Sequence, residues 1–229
     1  MSVLRGGIGD GNYVVAIRRM KVSRFCHIGD ALIAAGRASV ARAGMALAPS
    51  LGIPALPRFS MTAIERVAAF MHEHSLTLVT AESCTAGLIA ATLADVPGAG
   101  ALLDCAFVVY SPDAKCRCLG VSARTLARHN LTSETVAREM ALGAARKSPA
   151  LVAISNTGVT DSIDSEIPAG TQCFAWVFKS GGADAAPAVY SETRRFSGSR
   201  NGIREASARY ALVRLTEYFD ERRGAPGRR

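Results

Sequence analysis

From Met61 onward, apolar residues recur in two alternating rhythms. Ile64, Val67, Ala68 and Met71 fall at helical spacing behind Thr62, a residue type that caps helix starts, so a first helix is expected there. "LTLVT" (76–80) then reads as a strand, and Ser83 to Leu93 as a helix that "DVPGAG" stops. "CAFVVYS", from Cys105, is a nearly continuous apolar run, the pattern of a strand covered on both faces. Ser111 and Pro112 suit the cap and first position of another helix, which Gly120 ends. "SARTLARHN" predicts a short helix, and "TSETVAREMALGAARK" a longer one capped by Ser133 or Thr132, with basic residues in its last turn. "ALVAISNTG", "TQCFAWVFKS" and "AVYSETRRF" predict three further strands, followed by a last helix over roughly Ser199–Tyr218.

Strands and helices that alternate across short connections imply a layered α/β domain, partly parallel and closed by antiparallel strands near its end. The expected fold is a three-layer α/β/α arrangement on a mixed, largely parallel sheet. Residues 1–60 follow another pattern: Gly-, Ala- and Arg-rich, nearly without acids, and ending in the proline-broken "LAPSLGIPALPRFS". Such a leader matches either an organelle transit peptide or an upstream reading of the start codon, with Met61 as the true beginning. It is expected to be poorly ordered, with one short helix near Gly29–Ala43. The predicted organisation is a leader over 1–60, a domain over 61–219 and a basic tail over 220–229.

Charge changes this picture little. The net charge of +8 suggests a polyanion partner, but the surplus lies at the ends, with +6 in residues 1–60 and +2 in 220–229. The body, with 15 basic and 15 acidic residues, is neutral, so no specific nucleic-acid partner is expected. No run of about 18 apolar residues exists to span a membrane. The six cysteines are irregularly spaced; Cys116 and Cys118 lack a second pair at zinc-finger spacing, so free thiols in a cytoplasmic protein are expected.

Chemistry concentrates at "AESCTAG", between the first strand and the helix expected after it. A strand that turns into a helix sets its turn at the carboxyl edge of the sheet, where ligands bind in open α/β sheets. There Ser83 could act as a nucleophile with an oxyanion held at the helix N-terminus, and Ala86 and Gly87 would allow close approach. Equally, Ser83 or Thr85 could be a plain N-cap worth about 1 kcal/mol. None of the four histidines is well placed as a base. Lys115 sits in the first turn of the helix opening at Ser111, where the dipole disfavours a cation, and burial would lower its pKa further, as a lysine base requires. Tyr110, at the end of the preceding strand, is placed to share a proton relay. A solvated surface lysine is the competing reading.

"TAESCTAGLIAATLADVPGAGALL", "FVVYSPDAKCRCLGVSARTLARHN" and "TSETVAREMALGA" together resemble the CinA C-terminal domain family, whose runs read A-E-S-C-T-G-G and Y-S-N-E-A-K, in the same order and spacing. The resemblance covers about Met61 to Tyr218. It implies a cofactor-free Ser/Lys amidohydrolase of pyridine-nucleotide salvage that removes ammonia from the carboxamide of nicotinamide mononucleotide. Ser83 would be the nucleophile, Lys115 its base and Tyr110 an assistant, with Cys84 a bystander thiol aimed elsewhere. Thr85, Ala86, Gly87, Thr157, Gly158, Arg200 and Arg204 would bind the substrate. A homo-oligomer is also implied.

The resemblance has gaps. Ala86 replaces a glycine, and Pro112 an asparagine. The family's G-I-A-G-P-x-G-G loop has become "NTGVTDSIDSEIPAGTQ", where Asp161, Asp164 and Glu166 replace the glycine cluster. These carboxylates would repel a nucleotide phosphate, and they also raise the reading of a divalent-metal site, though no known ligand spacing supports one and no metal is expected. The family's G-D-R is here Gly198-Ser199-Arg200. Arg200 and Arg204 could meet a phosphate or simply be solvated. A divergent, inactive member that binds a small molecule or regulates is therefore the alternative.

Overall fold

The computed structural model describes residues 61–162, 166–179 and 186–224. The leader, with the helix expected near Gly29–Ala43, Asp164 and the last five residues of the tail lie outside them.

The elements run α1 (Ala63–Glu73), β1 (Leu78–Glu82), α2 (Leu88–Ala94), a 3-10 turn at Ala99–Ala101, β2 (Leu103–Val108), α3 (Pro112–Leu119), α4 (Ala123–Arg128), α5 (Glu134–Lys147), β3 (Val152–Gly158), β4 (Thr171–Phe178), β5 (Ala188–Arg195) and α6 (Arg200–Gly224). Caps set several of these starts. The Thr62 hydroxyl accepts from the Glu65 N–H while the Glu65 carboxylate accepts from the Thr62 N–H, a reciprocal box that opens α1. Ser111 caps α3 through the Ala114 N–H with Pro112 at the first position, and Ser133 caps α5 through the Val136 N–H.

The sheet order is β2-β1-β3-β4-β5. β1 lies parallel to both β2 and β3, and β4 is antiparallel to β3 and to β5, so β4 alone of the five strands runs against the rest. Alternate residues on each strand serve opposite layers. Leu78, Ile154, Phe174 and Trp176 join α1, α2 and α6 in one core, while Val79, Ala81, Ala153 and Val177 join α3 and α5 in the other. The three-layer architecture is as the sequence predicts. α5 can lie close on α3 because a Cβ at Gly143 would fall 2.1 Å from the Leu119 carbonyl oxygen. That contact seats the helix that carries Lys115.

Two expectations are corrected. β2 is an edge strand, covered on one face: Cys105 and Phe107 pack toward α5, while Ala106 and Val108 are exposed. An apolar run alone does not distinguish an edge strand from a central one. The helix expected from Ser83 begins only at Leu88. Ala86 and Gly87 hold φ values of +50° and +95°, which α-helical backbone excludes. α6 extends past Tyr218 to Gly224, so the first residues of the basic tail are helical.

Candidate active site

Strand parity places the opposing groups. Leu78, Thr80 and Glu82 face the α2 layer, and Val79 and Ala81 face α5. Ser83 continues the second set, toward α3, whose Lys115 side chain is only 1% exposed. The Lys115 ammonium donates to Ser83 Oγ at 3.0 Å, to the Val109 carbonyl at 2.9 Å and to the Tyr110 carbonyl at 3.0 Å. Burial pushes its pKa down to about 8. Three acceptors match the three protons of an ammonium. In the neutral amine, two N–H groups keep the carbonyls and the lone pair faces the Ser83 hydroxyl.

The turn after β1 is held from several sides. Glu82 is fully buried; its carboxylate accepts from the N–H groups of Gly87 (2.8 Å), Ile89 (3.0 Å) and Ala90 (3.1 Å), and from the Thr80 hydroxyl (2.8 Å). The expected oxyanion site at the N-terminus of this helix is therefore corrected: those amides are committed to Glu82. Neither Ser83 nor Thr85 caps the helix; Gly87 is the cap residue and makes no side-chain cap bond. The Ser83 N–H donates to the Asn156 carbonyl, and the Thr85 N–H to Asn156 Oδ1 at 3.0 Å. Asn156 Nδ2 donates to Gln172 Oε1, and Gln172 Nε2 to Cys84 Sγ and the Val159 carbonyl. Among the described residues, the Cys84 N–H is left without an acceptor.

Ala86 stands where a glycine would be unstrained. A left-handed alanine costs roughly 1–2 kcal/mol, more than the entropy that glycine adds to the unfolded chain. Ala86→Gly is therefore expected to raise stability by about 1 kcal/mol, read as a Tm gain of about 3 °C. A drop in Tm would show that this turn carries no such strain.

A cavity of about 240 Å³ opens beside the pair, lined by Ser83, Cys84, Tyr110, Lys115, Thr157, Gly158 and the Asn130–Thr132 segment, among others. The structure thus brings Ser83, Lys115, Tyr110, Thr157 and Gly158 together. Several expectations change in detail. Tyr110 meets the Lys115 amine through its carbonyl oxygen, and its side chain is 59% exposed. The Thr85 and Gly87 amides are used within the protein, by Asn156 and Glu82, and Ala86 is exposed. Cys84 is not aimed away: it lines the cavity, buried enough that its thiol pKa is pushed up. Arg204 Nε donates to the Cys84 carbonyl at 3.1 Å and Nη2 to the Thr85 carbonyl at 3.2 Å, so this arginine clamps the turn and is not held ready for a ligand. Arg200 Nη1 is bound to Asp161 Oδ2 and to the Thr160 hydroxyl, both at 2.8 Å.

Glu82, Asn156 and Gln172 escape the sequence reading. An acid inside an apolar strand, a few residues before a helix start, was the available signal for Glu82; the amides carry none. Among the described residues, no three His, Cys, Asp or Glu side chains cluster to hold a metal, and Asp161 is turned to Arg200. The five described cysteines are free thiols. No helix among the described residues is long and apolar enough to cross a membrane.

The family model of the CinA C-terminal domain matches residues 61–219. A nicotinamide-nucleotide amidohydrolase PncC of Escherichia coli K12 is 37% identical over 159 residues, which cover 68% of this chain and 92% of that one. A relative from Symbiobacterium thermophilum, named as competence-damage inducible, is 39% identical, but the match spans only 37% of its length. A solved CinA superfamily protein from Klebsiella pneumoniae 700603 superposes with a TM-score of 0.63 at 32% identity, over 70% of this chain and 99% of that one. A competence/damage inducible protein from Agrobacterium tumefaciens does so with a TM-score of 0.60 at 32% identity, over 68% and 92%.

Proposed function

The chain belongs to the CinA C-terminal domain family, and on that premise we propose that residues 61–219 act as an amidohydrolase, releasing ammonia from the carboxamide of nicotinamide mononucleotide or a closely related amide. One observation carries the reading: a fully buried lysine amine, its pKa lowered to about 8, lies 3.0 Å from a serine hydroxyl on the wall of a cavity. Among the described residues no carboxylate pairs with this amine, and a buried unpaired charge is costly, which favours its neutral, proton-accepting form.

In the reaction, neutral Lys115 takes the Ser83 proton as Oγ attacks the carboxamide carbon. The Lys115 ammonium then returns a proton to the departing nitrogen, which leaves as ammonia, and an ester on Ser83 remains. Lys115, neutral again, takes a proton from water, whose oxygen attacks the ester; the acid leaves and Ser83 recovers its hydrogen. The Val109 and Tyr110 carbonyls hold the amine on line throughout. The Cys84 N–H, next to the nucleophile and without an acceptor among the described residues, is the main-chain donor for the oxyanion. Thr157 and Gly158 also line the cavity, whose volume of about 240 Å³ admits a carboxamide ring; the rest of a nucleotide would reach toward Arg200. No cofactor enters this scheme, and it suits a cytoplasmic enzyme of pyridine-nucleotide salvage.

The pH profile tests the base. Protonated Lys115 cannot accept the Ser83 proton, so kcat/KM for ammonia release should rise about fiftyfold between pH 6 and pH 8 and level off above an apparent pKa of about 8. A flat profile across that range would remove Lys115 as the base. The alternative of a ligand-binding, non-hydrolytic member draws on the ion pair between Arg200 and Asp161. It predicts thermal stabilisation by nicotinamide mononucleotide with no ammonia released at any pH.

A further inference from the structure

Arg200 opens α6, and Asp161 stands in the segment after β3. Their contact is a closed set: Arg200 Nη1 bonds Asp161 Oδ2 and Thr160 Oγ1 at 2.8 Å each, and the Thr160 hydroxyl donates to Asp161 Oδ2 at 2.9 Å. The set sits beside the cavity. Thr160 is buried and follows Val159, which lines the cavity. One turn along α6, Arg204 is spent on the carbonyls of the Ser83 turn. Arg200 and Asp161 are 58% and 69% exposed, so both remain within reach of an arriving ligand.

We propose that Asp161 is a specificity-determining residue: its carboxylate holds the Arg200 edge that a substrate phosphate would take, and so turns the site from mononucleotides toward amides without a phosphate. The proposal rests on the amidohydrolase reading. Two oxyanions cannot share one guanidinium edge at hydrogen-bonding distance without repulsion. A phosphate must therefore displace Asp161 or bind beside it at a cost. Solvent screens an exposed pair, so the penalty is several-fold in affinity and not orders of magnitude. Asp161→Asn keeps an acceptor for Arg200 and Thr160 but removes the charge.

Calorimetric binding to the full chain tests this, with Ser83→Ala as background so that ligand is not consumed. Adding Asp161→Asn should tighten nicotinamide mononucleotide about fivefold and leave nicotinamide riboside within about twofold. The gain should vanish when Arg200→Met is added and shrink in 0.5 M salt, at a Debye length of about 4 Å. Equal mononucleotide binding with and without Asp161→Asn overturns the proposal. So does tightening of both ligands alike, or failure of the Asp161→Asn protein to bind either. Ammonia release by the unsubstituted chain is a separate readout: its absence removes the amidase reading, while the binding ratio still decides the role of Asp161.

Discussion

Ser83→Ala is expected to lower ammonia release from nicotinamide mononucleotide by at least about a thousandfold, with the fold intact. The substitution removes one oxygen from a side chain that is 8% exposed and leaves the Lys115 amine its two carbonyl acceptors, Val109 and Tyr110. Stability should hardly move, whereas the reaction loses the atom that attacks. Lys115→Met should cost about as much, because the hydroxyl is a poor nucleophile without a base. The double variant carries the sharper result. If the two groups act as one unit, it should be no slower than either single variant, as is found where nucleophile and base are interdependent. Multiplying losses would mean that the 3.0 Å contact between Lys115 Nζ and Ser83 Oγ is structural only. Undiminished turnover in Ser83→Ala would place the chemistry elsewhere.

Glu82→Ala should cost the fold about 3–5 kcal/mol, the largest single-residue loss outside the apolar core. The buried carboxylate accepts from three main-chain N–H groups and the Thr80 hydroxyl, and alanine would leave those amides without partner or water. Its negative charge at the N-terminus of α2 adds a favourable dipole contribution of about 0.5–1 kcal/mol. Against a typical domain stability of 5–15 kcal/mol the loss is severe, equal to a Tm drop of about 10 °C or more. Glu82→Gln keeps the shape but turns one acceptor into a donor facing N–H groups, so it should fall between alanine and the parent. Urea denaturation of the full chain measures both. A cost below about 1 kcal/mol for alanine would show that water or a backbone shift satisfies the amides, and that Glu82 does not hold the Ser83 turn.

These two residues are neighbours, yet the sequence exposes them unequally. Ser83 stands out because a serine between a strand and a helix, in a knot of small residues, reads directly as a site. Glu82 does not, because its partners are main-chain amides five to eight residues away, invisible until the turn is folded. The same blindness moved the helix start: the expected helix ran from Ser83, whereas the carboxylate and the left-handed Ala86 and Gly87 begin α2 at Leu88. Lys115 shows the reverse case. Its position at a helix start hinted at a lowered pKa, but a lysine on an eight-residue helix is usually solvated, and only packing decided otherwise. Arg204 was read as a ligand contact, and instead reaches back 119 and 120 residues to clamp the nucleophile turn.

What the sequence alone determined about this protein is what near neighbours in the chain decide. Periodicity, caps and breakers set the elements and their order, and the motif order identified the resemblance that the family match bears out. The tertiary structure alone decided which groups meet: Ser83 with Lys115 across 32 residues, Thr85 with Asn156 across 71, and Arg200 with Asp161 across 39. The physical reason is that local conformation follows from sterics and hydrogen bonds within a few residues. A buried amine, a committed helix end and a neutralised arginine each depend on charge and desolvation fields supplied by distant segments, and those fields exist only once the layers have packed.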